Sequence, residues 1–387
     1  MKSKPAIVVT AYNRPRSLLR ILGSLSGMKA AEDVPLIISI DNKSPDNHDV
    51  LTIAKDYHWP YGQKEVIYRK EHLGLRKHII ACGGLSRTYG SVIILEDDLL
   101  VSPFFYDYAL RAMEFYGKDE GIGGISLYNQ PINEMNQLPF SPIYDDSDVY
   151  FLQFPSSWGQ LWTESQWNQF IEWYNEGQDI ANIVPKGMLN WSESSWKKYY
   201  SAYLIVKGKY FVFPRQSLTT NFNDPGTHLT SMVNFDGQSQ LRLCQDGYRF
   251  KKLESSYCKY DQYLEFDPDC LKQLVPDLAG YEFETDLYGL KDTEVIKTSH
   301  VITSKSSSQV IRGYRRSLKP HEMNIILNLP GDDLLLCRTE HMKPLKNRYD
   351  RLILDHQYYY NRYFVNWKIR IYFKLSELIS KLKIRTK

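Results

Sequence analysis

Four short strand-like runs, spaced by segments of helical periodicity, constrain this chain more than any other feature. Ala6-Ile-Val-Val-Thr10, Leu36-Ile-Ile-Ser-Ile40, Glu65-Val-Ile-Tyr68 and Ser91 to Leu95 each have the length of a strand. Between the first two, Leu18, Leu19, Ile21, Leu22 and Leu25 recur at helical spacing. Asn13-Arg14-Pro15 supplies a turn with proline near the helix start. Leu75 to Arg87 reads as one further helix, and Ser102-Pro103 opens another that runs to about Tyr116. A short strand follows at Ile122 to Leu127. Strand and helix alternating at these lengths predict an α/β fold, a mostly parallel sheet with helices on both faces.

Ligands of such sheets bind at the carboxyl ends of the strands. Asn13-Arg14, Asp41 and Asp97-Asp98 all fall there, so one edge gathers a basic group and several carboxylates. Glu96-Asp97-Asp98 directly follows the most apolar run. Burying those charges is costly unless a partner compensates, and a bound divalent cation does so well. Mg²⁺ or Mn²⁺ prefers oxygen ligands, takes one or two carboxylates, and fills its shell with water and phosphate. Arg14 would add a fixed positive partner for the same phosphates. The alternative is a solvated turn whose acidic residues cap the helix that begins near Ser102.

Beyond this half, Tyr150 to Asp179 is rich in tryptophan, and Thr163 to Tyr174 and Ser195 to Val206 read as helices leading to a strand at Tyr210 to Phe213. The aromatic share of 14% suits either a carbohydrate- or nucleotide-binding surface or a large core. Past Asp246 the motifs thin out, and short strand-like runs (Glu294 to Lys297, Leu334 to Cys337) suggest a smaller, partly β-rich accessory region over 247–342. Five cysteines without a C-x-x-C pair suggest neither a disulfide framework nor a zinc cage. With no apolar run long enough for a signal core or a membrane span, the expected location is the cytoplasm. The segment 343–387 carries 12 Lys/Arg against 3 Asp/Glu, interleaved with aromatic residues. That composition suits a helix lying on the inner face of the cell membrane; a terminal helix docked on its own domain is the alternative. No motif supports nucleic-acid binding.

These residues resemble the GT-A glycosyltransferases, in which an acidic motif after the fourth strand binds metal and donor sugar. The likeness is closest to bacterial family-2-type surface-polysaccharide glycosyltransferases. It extends more distantly to the Golgi N-acetylglucosaminyltransferase that initiates complex N-glycans. It is carried by Val8-Val-Thr-Ala-Tyr-Asn-Arg14, Ile38-Ser-Ile-Asp41, His72-Leu-Gly-Leu-Arg-Lys-His78, Ile94-Leu-Glu-Asp-Asp-Leu-Leu-Val-Ser-Pro103, Phe154 to Trp162, and Phe213-Pro214 through Gly226-Thr-His228. It covers about residues 5–230, with the acidic segment the most specific.

The resemblance implies a GT-A (Rossmann-like) catalytic domain over 1–246, followed by the accessory region and the basic tail. It implies a hexosyltransferase that uses a nucleotide sugar, a UDP-sugar being favoured, with Mn²⁺ or Mg²⁺. The acceptor would be a glycan or lipid-linked oligosaccharide of surface polysaccharide biosynthesis, and the reaction would be inverting. Ala11, Arg14 and His78 would lie along the nucleotide and Asp41 would hold its base. Asp97 would face the ribose or donor sugar, Asp98 would ligate the metal, and Glu96 would contact the sugar. His78 could equally be a helix histidine packed on the sheet.

One position departs from the pattern. Where the Golgi enzyme has its catalytic aspartate after a tryptophan, this chain reads Trp196-Lys197-Lys198. An attacking hydroxyl needs a carboxylate to take its proton. Glu193 is the first candidate, Asp224 in Asn223-Asp-Pro-Gly-Thr-His228 the second and Glu164 a third, while His228 would add a metal or phosphate contact. Two other functions stay open. One is a non-catalytic nucleotide-sugar- or glycan-binding protein at the membrane, with the lysines marking a lost base. The other is a sugar-1-phosphate nucleotidyltransferase, disfavoured because Thr10 to Pro15 holds no glycine for a phosphate loop.

Overall fold

The computed structural model describes residues 4–29, 32–42, 47–222, 224, 237–244 and 247–344, with 355, 358, 359, 371 and 375 beyond. Two compact units emerge, one of Met1–Met135 with Pro142–Cys270, the other of Asn136–Ser141 with Leu271–Lys387.

The strands of the first unit are β1 (Ala6–Ala11), β2 (Leu36–Ile40), β3 (Lys64–Tyr68), β4 (Ser91–Glu96), β5 (Leu99–Val101) and β6 (Ile122–Ser126). After the two-residue pieces β7 (Ile132–Asn133) and, in the second unit, β8 (Leu138–Pro139), the first unit continues with β9 (Val149–Leu152), β10 (Gln160–Thr163), β11 (Tyr210–Pro214), β12 (Thr219–Asn221) and β13 (Lys259–Tyr260). Nine of them form one sheet in the order β13-β9-β11-β6-β10-β4-β1-β2-β3. β3, β2, β1, β4, β6 and β11 run one way, while β10, β9 and β13 oppose them. The expected α/β class, with a large, mostly parallel sheet, is therefore the one observed.

Its helices are α1 (Pro15–Ser26), α2 (His48–Asp56), α3 (Gly74–Gly83), α4 (Ser86–Tyr89), α5 (Phe105–Tyr116), α6 (Glu164–Asn175), α7 (Lys186–Leu189) and α8 (Lys197–Val206). Alternate residues of a strand face opposite sides of a sheet. Ile7, Val9, Ile38 and Leu95 accordingly share one core with Leu18, Ile21, Leu22 and Leu25 of α1 and with Phe105, Tyr108 and Ala112 of α5. Each fully buried side chain of this kind stabilises the fold by about 1.5–3 kcal/mol. On β10, Trp162 packs against Trp167 of α6 and Tyr200 of α8, and Phe170 of α6 packs on the same Tyr200. Trp162, Trp167 and Tyr200 are fully buried, so much of the aromatic richness is core. The helix expected over Leu75 to Arg87 breaks at Gly83-Gly84 into α3 and α4. Adjacent glycines are poor helix formers, and a Cβ on Gly83 would stand 2.2 Å from the Trp167 ring.

The first unit runs past the expected limit at residue 246. β13 pairs with β9 at the sheet edge, and Tyr248 and Phe250 pack edge-on against Tyr108. The second unit holds a four-stranded sheet, β14 (Phe283–Asp286), β15 (His300–Thr303), β16 (Arg312–Tyr314) and β17 (Leu334–Arg338), in the order β14-β15-β17-β16. Glu294 to Lys297, read as strand-like, is not a strand; the strand falls a few residues later at His300–Thr303. Most of the basic tail lies outside the described residues. Among those described, no helix is long and apolar enough to cross a membrane, and the five cysteines are free.

Candidate active site

Register brings the strand ends level: Thr10 of β1 pairs with Glu96 of β4, and Ala11 pairs with Ile40 of β2. Arg14 immediately precedes α1, whose first residue is Pro15. Its Nη1 donates to Asp98 Oδ2 at 2.9 Å, and its Nη2 bonds Asp97 Oδ1. The triplet therefore caps no helix. The α5 helix begins after Phe104 with no side-chain cap, and Ser102, the expected cap, instead accepts the Phe104 amide at 3.1 Å in the turn before it. Asp97 is buried, with its side chain 4% exposed, and Asp98 nearly so. Asp97 Oδ2 and Asp98 Oδ1 have no hydrogen-bond partner.

This crowding sets the protonation of the site. Burial pushes the Asp97 carboxyl up to about 6, with Arg14 pulling against that and Asp98 adding to it. Glu96 is raised too, first by burial and then by the Asp98 charge, against the opposing charges of Arg14 and Lys197. Burial disfavours the Arg14 cation, yet the two carboxylates outweigh it and its basicity rises.

Beside this cluster, Asp41 is nearly buried and organises the start of α3. Its Oδ1 accepts from the Leu73 amide at 2.8 Å, and its Oδ2 from the Gly74 amide at 2.9 Å and His72 Nδ1 at 3.0 Å. Gly74 sits at φ +71°, where a side chain would be strained. Tyr12 stacks on His72 at 5.2 Å, forming an aromatic wall next to Asp41. Asn47, missed by the sequence reading, ties the two strand ends together through Nδ2, to Tyr12 O at 2.6 Å and Asp41 O at 2.7 Å. His78 is buried against β2, its Nε2 2.8 Å from Ser39 Oγ. Burial pushes its imidazole down to about 4, so the ring is neutral near pH 7. It occupies the packed position held open as the alternative.

The candidate bases separate clearly. β12 pairs with β5, and the Phe222 amide bonds Asp98 O at 2.9 Å. This brings Asp224 to α1, where it accepts from Ser17 Oγ at 2.6 Å and from Arg20, whose own charge senses Asp98 and Asp97. Glu193 is 85% exposed and pairs with Lys198 at 3.0 Å. Glu164 stands at the opposite sheet edge: β10 is antiparallel to β4, and Thr163 pairs with Ser91 at the start of that strand. Lys197 is buried and turns inward, its Nζ 2.6 Å from Glu134 Oε1 and 4.2 Å from the Phe154 ring centre. Glu134 carried no motif that would have singled it out. His228 lies outside the described residues.

The donor set fits a divalent cation of the Mg²⁺ or Mn²⁺ kind. Asp97 and Asp98 each offer a buried, unpartnered oxygen, and such ions take few protein carboxylates and complete their shell from water and phosphate. Among the described residues no group of three His, Cys, Asp or Glu is placed to hold a metal ion.

No family model matches the chain. It is similar to the alpha-1,3-mannosyl-glycoprotein 2-beta-N-acetylglucosaminyltransferase of Arabidopsis thaliana, at 24% identity over 206 residues. The aligned part is 53% of this chain and 40% of the plant protein, so it spans less than half of that relative's length. This similarity accords with the resemblance read from the motifs. Among solved structures, TarS residues 1–349 of S. aureus aligns with a TM-score of 0.35 at 9% identity, over 56% of this chain and 59% of that one. The mannosyltransferase PcManGT of Pyrobaculum calidifontis, in complex with GDP-Man and Mn²⁺, aligns with a TM-score of 0.34 at 10% identity, over 55% and 58%.

Proposed function

We propose that this chain is a glycosyltransferase that moves a hexosyl unit from a nucleotide-diphosphate sugar, a UDP-sugar by preference, to a glycan or lipid-linked acceptor. The observation that carries the reading is the clamp of Arg14 on Asp97 and Asp98 at the end of β4. It leaves one buried, unpartnered oxygen on each carboxylate, at the strand ends where an α/β sheet binds its ligands. The plant relative, an N-acetylglucosaminyltransferase by name, supports the same class.

Asp98, with Asp97, would hold Mn²⁺ or Mg²⁺, which neutralises the charge developing on a departing diphosphate. Arg14 keeps the carboxylates oriented and brings a cation to the phosphate side. The raised Glu96 carboxyl retains its proton more readily than an exposed glutamate, and so would donate a hydrogen bond to a sugar hydroxyl. The wall of Tyr12 and His72 beside Asp41 offers the nucleotide base a stacking face.

For the acceptor's proton, Glu134 is the base we assign, ahead of Glu193 and Asp224. Lys197 stands where the motif expects an acid, holds Glu134 at 2.6 Å, and lies close enough to Glu96 for its charge to act there. Glu193 is tied to Lys198 in solvent, and Asp224 is neutralised by Arg20. Inversion follows from a single displacement at the anomeric carbon with one such base. Surface polysaccharide synthesis at the inner membrane face rests on the composition of the basic tail.

The test is a thermal-shift screen of nucleotide sugars with and without Mn²⁺, followed by an assay of nucleotide release. A ligand that binds only the folded state raises the melting temperature. The reading fails if no nucleotide sugar shifts the melting temperature under either condition.

A further inference from the structure

A cavity of about 400 Å³ opens between the ends of β9 and β11, with Tyr144, Asp148, Arg215, Gln216, Arg242 and Arg249 in its lining. That volume is in the range that accepts a small organic ligand. Strand direction places it on the same sheet edge as the acidic triplet, since β11 and β4 are both parallel to β6. Three strand steps separate β4 from β11, about 14 Å at the usual spacing. One backbone segment joins the two places. Arg215 and Gln216 line the cavity, the Leu218 carbonyl accepts the Ser102 amide at 2.7 Å, Thr219–Asn221 pairs with β5, and Phe222 bonds the Asp98 carbonyl.

The arginines of this cavity are not equivalent. Arg215 pairs with Asp145 at 3.3 Å, and Arg249 pairs with Asp146 at 2.5 Å while donating to the Tyr144 hydroxyl at 2.7 Å. Asp148 accepts the Arg249 amide at 2.7 Å. Arg242 is nine-tenths buried, yet its side chain donates only through Nε, to the Cys244 carbonyl at 3.3 Å, and rests 4.6 Å from the Tyr248 ring centre. Among the described residues no carboxylate lies within ion-pair reach of it, and its Nη1 and Nη2 have no partner. The residue is mostly buried while its Nη donors stay solvent-accessible, so the stem is fixed and the charge is available to an anion entering the cavity. A guanidinium with two free donors matches carboxylate or phosphate in a bidentate pair. At the rim, Tyr144 is 61% exposed with the Arg215 guanidinium 5.1 Å from its ring centre, so an aromatic surface that can meet the apolar face of a sugar adjoins the arginines.

We propose that this cavity binds an anionic sugar, one carrying a phosphate or carboxylate, with Arg242 as its counter-ion. Resting on the glycosyltransferase reading above, the occupant is a charged unit of the acceptor glycan, seated some residues away from the reacting hydroxyl.

The test needs neither nucleotide nor divalent metal. Glucose 6-phosphate, glucuronate, inorganic phosphate and glucose are titrated calorimetrically into the full chain. The two charged sugars should bind at least tenfold tighter than glucose, and inorganic phosphate more weakly than glucose 6-phosphate. Arg242→Gln should weaken charged-sugar binding at least tenfold, whereas Arg14→Gln at the triplet should leave it unchanged. Arg249→Gln, at the exposed rim, should weaken it too and serves if the buried substitution unfolds the chain. Equal binding of glucose, or binding that survives Arg242→Gln and Arg249→Gln, would overturn the site. Loss with Arg14→Gln would move the anion to the triplet, and inorganic phosphate binding as tightly as glucose 6-phosphate would remove the sugar from the proposal. A chain without transferase activity would still show this binding, so the two readings fail separately.

Discussion

Arg14 and Asp98 meet at 2.9 Å although 84 positions separate them in the chain, and the same guanidinium also holds Asp97. This contact makes the acidic triplet tolerable to the free protein and leaves two carboxylate oxygens for something else.

Replacing Arg14 by methionine should expose that dual role. Breaking a buried ion pair costs about 3–5 kcal/mol. The Arg14 side chain is a quarter exposed, so solvent screening reduces the expected loss to about 1–3 kcal/mol. Urea denaturation measures it. Millimolar Mn²⁺ should raise the melting temperature more in Arg14→Met than in the parent, because the cation then supplies the missing charge. An equal shift in both proteins would contradict the shared site.

Asp98→Asn removes a charge at the proposed metal ligand while keeping the shape of the side chain. Mn²⁺-dependent stabilisation by a nucleotide sugar should vanish, and the far-ultraviolet circular dichroism should stay as in the parent. Donor binding that persists at parental strength would show that Asp98 is not a ligand.

Two buried groups should give opposed pH dependences. Asp97, raised to about 6 from 3.8, keeps its proton in the folded state where the unfolded chain has lost it, so its contribution falls as pH rises from about 4 to about 6. His78, lowered to about 4 from 6.5, is neutral when folded while the unfolded chain takes up a proton, so its contribution is lost as pH falls through the same window. Stability measured against pH should therefore tilt in opposite directions in Asp97→Asn and His78→Gln. In Asp97→Asn stability should rise more steeply with pH than in the parent, and in His78→Gln it should fall relative to it. Parallel profiles in all three proteins would remove both assignments.

The proton acceptor can be identified by comparing three amides. Glu134→Gln should lower kcat by about 10²- to 10⁴-fold, the usual contribution of a general base. Donor affinity, read by thermal shift, should stay unchanged. Glu193→Gln should stay within a few fold of the parent, and Asp224→Asn should act mainly on donor binding through Arg20. A large kcat loss confined to Glu193→Gln would return the role to that residue.

Much of the strand-end site was legible in the sequence because its signals are local. A short apolar run ends where its strand ends, so Arg14, Asp41 and Glu96-Asp97-Asp98 could be set along one edge before any contact was known. Proline at the head of α1 and the Thr163–Gln166 capping box of α6 are likewise written in neighbouring residues. Periodicity could not say whether tryptophans line a surface or a core, since both require apolar faces; packing of Trp162 between α6 and α8 decided that.

The sequence by itself determined the alternation of strands and helices and the residues that close each strand, because hydrophobic period and turn chemistry act over a few residues. Only the tertiary structure decided which distant groups meet. Lys197 holds Glu134 from 63 positions away, and Arg20 meets Asp224 across 204. Antiparallel β10 removes Glu164 to the far edge, and the path of Arg215 to Phe222 joins the arginine-lined cavity to the triplet. Those outcomes depend on strand order and direction, which are set by the packing of the whole sheet and leave no mark in any one stretch of chain.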